Sequence, residues 1–157
     1  MRPMDTLQPV LLTKQGLDEL KAEYEVLAKI KRPAAVKRLA EARDQGDLSE
    51  NSEYAAAKQD LSFIDGRIAE LEDIIHGAKV VTTHSSKNVD IGCRVTVNFG
   101  NKKEIFKIVG EWEVDLQDKK ISHESPLGKA LMGKKVGDSA EVEAPAGKVV
   151  YKILSIE

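Results

Sequence analysis

A strict heptad repeat constrains this chain more than any other feature. Apolar or small residues recur at alternating steps of three and four over residues 54–75, namely Tyr54, Ala57, Leu61, Ile64, Ile68, Leu71 and Ile75. A helix with such a seam needs a helical partner to bury it. Upstream, Thr13 is predicted to cap a helix with a similar stripe, made by Leu17, Leu20, Tyr24, Leu27, Ile30 and Ala34. We therefore predict an antiparallel coiled-coil hairpin.

Two residues are expected to shape the first helix of this hairpin. Pro33 lacks an amide hydrogen and crowds the preceding turn, which predicts a kink near residues 29–33. Gly46 suits the left-handed position that ends a helix. Small residues near the turn predict a slender tip with closely packed helices: Ala40 and Ala42 on one side, and Ala55, Ala56 and Ala57 on the other.

Charge is distributed unevenly along the hairpin. Residues 29–43 contain six basic side chains and one acidic one, whereas residues 44–53 contain four acidic side chains and no basic one. The whole chain has a formal charge of -2, which does not favour duplex nucleic-acid binding by the chain alone. The basic run either solvates a helix face or contacts phosphate, and Arg43 near the tip is the residue we single out.

The second half of the chain predicts a small α+β unit. Alternating residues from Cys93 to Val97 and an apolar run over 105–109 predict strands, and two final strands are expected near 138–144 and 148–156. Ser125 and Pro126 are predicted to open a short helix. The predicted domains are the hairpin at 1–78 with its acidic tip near 44–53, a linker at 79–90, and a C-terminal domain at 91–157.

Several other classes of protein are disfavoured. Cys93 is the single cysteine, so no internal disulfide forms, and no cysteine or histidine cluster has zinc-ligand spacing. The chain begins without a secretory apolar region and contains no apolar run of membrane-spanning length. We expect a cytoplasmic protein, and a monomer because the hairpin satisfies its own seam.

The acidic turn has two compatible interpretations. Asp47 and Glu50 have the spacing of a capping box, with Asp47 as the cap of the second helix. Two exposed carboxylates also suit magnesium, which takes one or two protein carboxylates and finds its other ligands on water and substrate phosphates. Alone, the tip is expected to bind this ion poorly. A partner must then supply phosphates, and a first metal, for two-metal phosphodiester cleavage.

These residues resemble a known family. Residues 43–54, together with 56–58 and 66–68, closely resemble the signature of the GreA-type bacterial transcript cleavage factors, or Gre family. Further matches are Arg32-Pro33 and residues 108–110, 125–127 and 145–147. The resemblance covers residues 10–157, and the motifs occur in order and at the expected spacing.

The resemblance implies a fold and a function. The family has an N-terminal coiled coil and a C-terminal domain similar to the FK506-binding prolyl isomerases. That domain docks at the rim of the secondary channel of RNA polymerase, and the coiled coil enters the channel. The acidic tip helps to hold the second magnesium ion and to orient the attacking water. The polymerase then cleaves its own backtracked RNA, so the factor is not itself the enzyme.

Matching positions imply roles for individual residues. Asp47 corresponds to the metal ligand of the catalytic pair, and Glu50 to its water-orienting member. The tip is supported by Asn51, Ser52 and Tyr54, the RNA 3′ segment is contacted by Arg43 and Lys58, and polymerase docking involves Glu124, Ser125 and Pro126. The magnesium ion is shared with the polymerase, and none is expected in the isolated protein.

The family contains branches, and other functions are conceivable. The modest basic patch is similar to the GreA branch, which implies short cleavage products. A channel-blocking regulator of the same architecture would lack or rearrange the acidic pair. An adaptor or chaperone without polymerase contact would leave the match at Ser125-Pro126 unexplained. Prolyl isomerase activity is not expected, because residues 90–157 contain few aromatic side chains, namely Phe99, Phe106, Trp112 and Tyr151.

Overall fold

The computed structural model of the chain describes residues 9–46, 51–82 and 87–157. It contains two compact units. Residues Asp18–Gly77 form a helical unit, and Ala78–Glu157 form a second unit together with the described residues up to Leu17. The combination of a helical hairpin with a sheet unit confirms the predicted α+β class. The predicted domain limits stay a prediction, although a short strand begins at Ala78 and extends into the predicted linker.

The helical unit consists of two antiparallel arms. In the first arm, α1 (Lys14–Val26) continues through a π-helical turn (Leu27–Lys31) into α2 (Arg32–Asp44). The second arm is α3 (Ser52–His76). Thr13 caps α1 as predicted, because its Oγ1 accepts a hydrogen bond of 3.0 Å from the amide of Gly16. Gly46 follows α2 with a φ of +110°, which confirms its predicted role in ending that helix.

The interruption predicted near residues 29–33 takes the form of the π-helical turn. Pro33 has no amide hydrogen to donate to the preceding turn. Before it, the amide of Arg32 donates to the carbonyl of Leu27, five residues back, instead of four. The wider turn accommodates one extra residue without breaking the helix.

This extra residue shifts the seam of the first arm by one position. Leu20 and Leu27 are buried as predicted, but Ile30 is 64% exposed and Ala34 is also exposed. The prediction that these last two lie on the seam was therefore wrong, since it assumed an uninterrupted α-helical period. Beyond the π-helical turn the inward-facing positions are Ala35, Leu39 and Ala42.

The heptad seam of α3 is confirmed. Ala57 and Leu71 are buried, and the other predicted seam residues are at least half-buried. Ile74, which the heptad did not include, is also buried, with 4% exposure. At 1.5 Å per residue, the 25 residues of α3 span about 38 Å.

The second unit contains a five-stranded sheet in the order β5-β4-β3-β7-β6. Its strands are β3 (Arg94–Phe99), β4 (Lys102–Val109), β5 (Lys120–Ser122), β6 (Ser139–Ala144) and β7 (Gly147–Ile156). All neighbours are antiparallel except β4 and β5. The predicted strands are thus confirmed, and a short helix, α4 (Pro126–Leu131), packs with them over one core. Cys93 lies in that core, as an ordinary buried side chain.

A small parallel pair of strands was not predicted from sequence. Strand β1 (Val10–Leu12) pairs with β2 (Ala78–Val80). Glu113 supports the end of β1, because its carboxylate accepts hydrogen bonds from the Thr13 amide at 2.9 Å, the Thr13 hydroxyl and the Gly110 amide. A side chain at Gly110 would collide with the carbonyl of Leu11, so only glycine fits there. Among the described residues, no helix is long and apolar enough to span a membrane.

Candidate functional site at the hairpin tip

The acidic turn identified from sequence connects α2 to α3. Asp47 and Glu50 belong to residues 47–50, which lie outside the described residues, so their role as the catalytic and metal-binding pair stays a prediction. The residues on both sides of this turn are described. They show how the turn is anchored.

Asn51 joins the two ends of the turn. Its side-chain carbonyl accepts a hydrogen bond of 3.0 Å from the amide of Tyr54, which caps α3. Its side-chain amide donates a hydrogen bond of 2.8 Å to the main-chain carbonyl of Ala42 in α2. One side chain therefore ties the beginning of α3 to the last turn of α2. This geometry agrees with the predicted supporting role of Asn51.

The predicted cap of α3 was wrong. The helix begins at Ser52, and its N-cap is Asn51 rather than Asp47. Asparagine is as favourable as aspartate at this position, and it also carries the donor that reaches Ala42.

Small side chains allow the helices to approach near the tip. Ala42 of α2 and Ala57 of α3 are each only 1% exposed. Tyr54, half-buried, begins the seam as predicted, and Ser52 is exposed at the first helical position. Ala40 and Ala55, however, are exposed, so their predicted places between the helices were wrong. Ala40 precedes the buried Ala42 by two residues, or about 200° around the helix, so these two cannot both face α3.

Ion pairs connect the two arms close to the tip. Arg38 of α2 contacts Glu53 at 2.7 Å and Asp60 at 2.5 Å, both on α3. The hydrogen bond to Glu53, and to a smaller extent the one to Asp60, raises the pKa of the Arg38 guanidinium above its ordinary value. One turn and a half earlier, Arg32 contacts Asp65 at 2.7 Å. Arg32 and Arg38 therefore connect α2 to α3, and exposed ion pairs of this kind each contribute at most about 1 kcal/mol.

A second set of polar contacts lies farther from the tip. Arg67 of α3 bonds to Glu23 of α1 at 2.8 Å and to Glu70 at 2.6 Å. The hydrogen bond from Arg67 lowers the pKa of Glu23 below its ordinary value, although burial acts in the opposite direction. Nearby, the Tyr24 hydroxyl donates to Glu72 at 3.0 Å.

Two basic residues near the tip have no such partner among the described residues. Arg43 and Lys58 are both exposed, and neither forms an ion pair with any residue that the structure describes. Other cations of the basic run do form pairs, including Lys29 with Glu25. Arg43 and Lys58 are thus available to an external anion, which agrees with their predicted contact to RNA. That contact stays a prediction.

The predicted docking loop leads into the N-terminus of α4. The Ser125 hydroxyl caps α4 by accepting a hydrogen bond of 3.0 Å from the amide of Gly128, and it donates one of 2.6 Å to the carbonyl of Ser122. Pro126 occupies the first helical position, as expected. Glu124 is exposed next to it. The loop therefore presents a fixed surface, while its contact with a partner stays a prediction.

The described part of the chain does not supply a complete metal site. No group of three or more histidine, cysteine, aspartate or glutamate side chains in residues 9–46, 51–82 and 87–157 is arranged to hold an ion. Asp47 and Glu50 would contribute two carboxylates at most. Magnesium prefers six oxygen ligands and accepts one or two carboxylates, so this pair fits a shared site better than an independent one.

Comparison with known proteins identifies relatives along the whole chain. Residues 10–80 match the family model described as transcription elongation factor, N-terminal, and residues 84–157 match the model described as transcription elongation factor, GreA/GreB, C-term. The transcription elongation factor GreA of Thermoanaerobacter pseudethanolicus is 48% identical over 153 residues, which cover 95% of this chain and 98% of that protein. GreA of Rhodospirillum rubrum is 45% identical and covers 96% of this chain and 98% of its own length. Among solved structures, GreA factor homolog 1 of Thermus thermophilus is 31% identical with a TM-score of 0.46, covering 95% of this chain and 99% of that one.

Proposed function

Because the chain belongs to the GreA/GreB family of transcription elongation factors, we propose that it activates RNA cleavage by bacterial RNA polymerase. It docks at the secondary channel through its C-terminal domain and inserts the helical hairpin. Backtracked nascent RNA is then cut by the polymerase, and transcription resumes from the new 3′ end. In this proposal the chain donates acidic residues and is an accessory factor rather than an enzyme in its own right.

The chemistry is assigned to the acidic turn. Asp47 is proposed to be a magnesium ligand, and Glu50 to hold the attacking water by accepting a hydrogen bond from it. The magnesium ion, shared with the polymerase, would stabilise charge on the scissile phosphate and lower the pKa of bound water. Since the tip alone offers too few ligands, calorimetry on the free protein should detect only weak magnesium binding. Tight stoichiometric binding would argue against a shared site.

The observation that carries this proposal is the double hydrogen bond of Asn51. It fixes α3 to α2 at the base of the turn that contains both carboxylates. A catalytic group contributes most when its position is established before the reaction, because reorientation then costs nothing at the transition state. The ion pairs of Arg38 reinforce the same end of the hairpin.

The unpaired cations beside the tip support an RNA contact. Arg43 at the end of α2 and Lys58 in α3 carry charges that no described side chain neutralises. Such groups are suited to the phosphates of the extruded RNA 3′ segment. In the C-terminal domain, docking is assigned to the exposed residues Glu124 and Pro126, with Ser125 as the cap that shapes the loop.

A single assay tests the proposal against its alternatives. Purified bacterial RNA polymerase is halted in a backtracked complex with RNA labelled at its 3′ end, and the protein is added. Release of short labelled fragments followed by renewed elongation is the expected result. Inhibition without fragments would indicate a channel-blocking regulator, and absence of any effect or binding would indicate an adaptor that does not act on polymerase.

A further inference from the structure

Three basic side chains form a row across the edge of the sheet. Lys107 of β4 lies directly opposite Arg94 of β3 on one side. On its other side it lies directly opposite Lys120 of β5. The residues that follow them, Val95, Ile108 and Ile121, are buried in the core.

Strand alternation places the three cations on the outer face. Successive side chains of a strand point to opposite sides of the sheet. Arg94, Lys107 and Lys120 each precede a buried residue, so their side chains face away from the core. Neighbouring strands are roughly 4.8 Å apart, and directly opposed side chains are therefore close neighbours. Arg94 is exposed, whereas Lys107 and Lys120 are half-buried.

The part of the chain that the structure describes leaves this row without an ion pair. Among the described residues, no carboxylate forms an ion pair with Arg94, Lys107 or Lys120. Like charges directly opposite each other destabilise a sheet. A chain with a formal charge of -2 nevertheless concentrates positive charge here. The arrangement is complementary to an anion that contacts several of these side chains together.

These cations line a recess of about 490 Å³. The other lining residues are Gln15, Ile105, Gln117, Asp118 and Lys119. A recess of this size matches a small molecule, for which typical sites measure roughly 300–1,000 Å³. Lys119 adds a fourth cation, held with a φ of +52° and 3.9 Å from Glu104. The acidic side chains Asp118 and Glu104 interrupt the basic surface, which disfavours the binding of a long polyanion across it.

We propose that this recess binds the polyphosphate group of a free nucleotide. Arg94 can donate two parallel hydrogen bonds to phosphate oxygens, and the lysines supply point charges beside it. Ile105, 54% exposed, and the amide of Gln117 offer apolar and polar surface to the rest of the molecule. The proposal concerns the C-terminal unit and does not depend on the cleavage activity of the tip.

Titration calorimetry on the full-length protein tests the proposal with three probes: ATP, inorganic triphosphate, and a short single-stranded RNA without terminal phosphate. Saturable one-site binding of ATP is expected. Binding of triphosphate as well would assign recognition to the phosphates alone, whereas binding of ATP alone would add the nucleoside to it. Both results support nucleotide binding in the recess. Failure of ATP to bind, or binding of the RNA alone, would overturn it.

Matched variants separate a binding role from a structural one. Lys107→Gln should weaken ATP binding by at least about tenfold, because a charged hydrogen-bond donor is lost. Lys107→Arg should retain binding, and Lys148→Gln at the far β6–β7 hairpin removes the same charge and should leave affinity unchanged. Equal weakening by Lys107→Gln and Lys148→Gln would refute a specific site. Equal weakening by Lys107→Gln and Lys107→Arg would show a structural effect and refute it too.

Discussion

Replacing Asn51 with alanine removes two hydrogen bonds that meet at one side chain. The amide of Tyr54 loses its capping acceptor, and the carbonyl of Ala42 loses its donor from the opposite helix. The first change frees the start of α3. The second disconnects it from α2, so the acidic turn loses its anchor at the base.

The expected magnitude follows from the two contacts. Loss of an N-cap side chain costs about 1 kcal/mol. The bond to Ala42 contributes roughly another 1 kcal/mol. Its loss costs no more than this, because the Ala42 carbonyl still accepts a hydrogen bond of 3.3 Å from the amide of Gln45. A local destabilisation of about 1 to 2 kcal/mol raises the opening equilibrium of the tip about 5- to 30-fold.

Hydrogen exchange measures this opening directly. The amide of Ala55 donates to the main-chain carbonyl of Asn51 at 3.1 Å, a bond that both variants keep. It should exchange about 5- to 30-fold faster in Asn51→Ala than in the wild-type protein, while the amide of the buried residue Leu71 should be unchanged. Asn51→Asp keeps a favourable cap but lacks the donor to Ala42, so an intermediate rate is expected. Stimulated RNA cleavage should fall in the same order, because the turn that contains the two carboxylates loses its anchor at the base.

An unchanged exchange rate at Ala55 in Asn51→Ala would refute the proposed anchor. Faster exchange at both Ala55 and Leu71 would equally contradict it, since the effect would then be global unfolding. If Asn51→Asp matched the wild type in exchange and cleavage, the cap alone would suffice and the bond to Ala42 would have no role.

Three further predictions address other parts of the molecule. Arg67 lowers the pKa of Glu23 below its ordinary 4.5, so the ion pair stabilises the fold above that pH and stops stabilising it as the pH falls through the lowered pKa. Glu23→Gln should therefore reduce the free energy of unfolding by at most about 1 kcal/mol at neutral pH, and thermal melts should show that this loss vanishes in acid. Deleting Ile30 and changing Pro33 to alanine should leave the hairpin folded, because a regular α-helix of that length places the same residues on the seam. Inserting an alanine after Ile30 should instead destabilise the hairpin, and circular dichroism measures both outcomes. Ser125→Ala should cost about 1 kcal/mol at α4 and weaken polymerase binding, with cleavage restored at saturating protein; undiminished affinity would contradict the docking role.

Sequence alone predicted those elements whose determinants are local or periodic. The seam of α3, the cap at Thr13 and the glycine that ends α2 each depend on a short pattern with one favourable structure. Four of the five strands of the sheet unit were predicted, from alternation or from a short apolar run, whereas the three-residue strand β5 was not.

Features that depend on distant contacts escaped prediction. A single extra residue in the π-helical turn moved Ile30 out of the seam, because periodicity has no means of anticipating an insertion. The N-cap of α3 is Asn51 rather than the predicted Asp47, and its side-chain amide also reaches Ala42 across the hairpin. The pairing of β1 with β2 joins three-residue strands that are far apart in sequence. Within the site, roles for Asp47 and Glu50 came from family resemblance and stay predictions.

Cleavage by an Asp47→Asn variant tests the central proposal most directly. Backtracked polymerase is mixed with saturating wild-type or variant protein, RNA cleavage is followed in single turnover, and binding is measured on the same complexes. The proposal predicts that the variant binds polymerase like the wild type but no longer stimulates cleavage, since a neutral amide replaces the magnesium-binding carboxylate. Cleavage at the wild-type rate by the fully bound variant would contradict it.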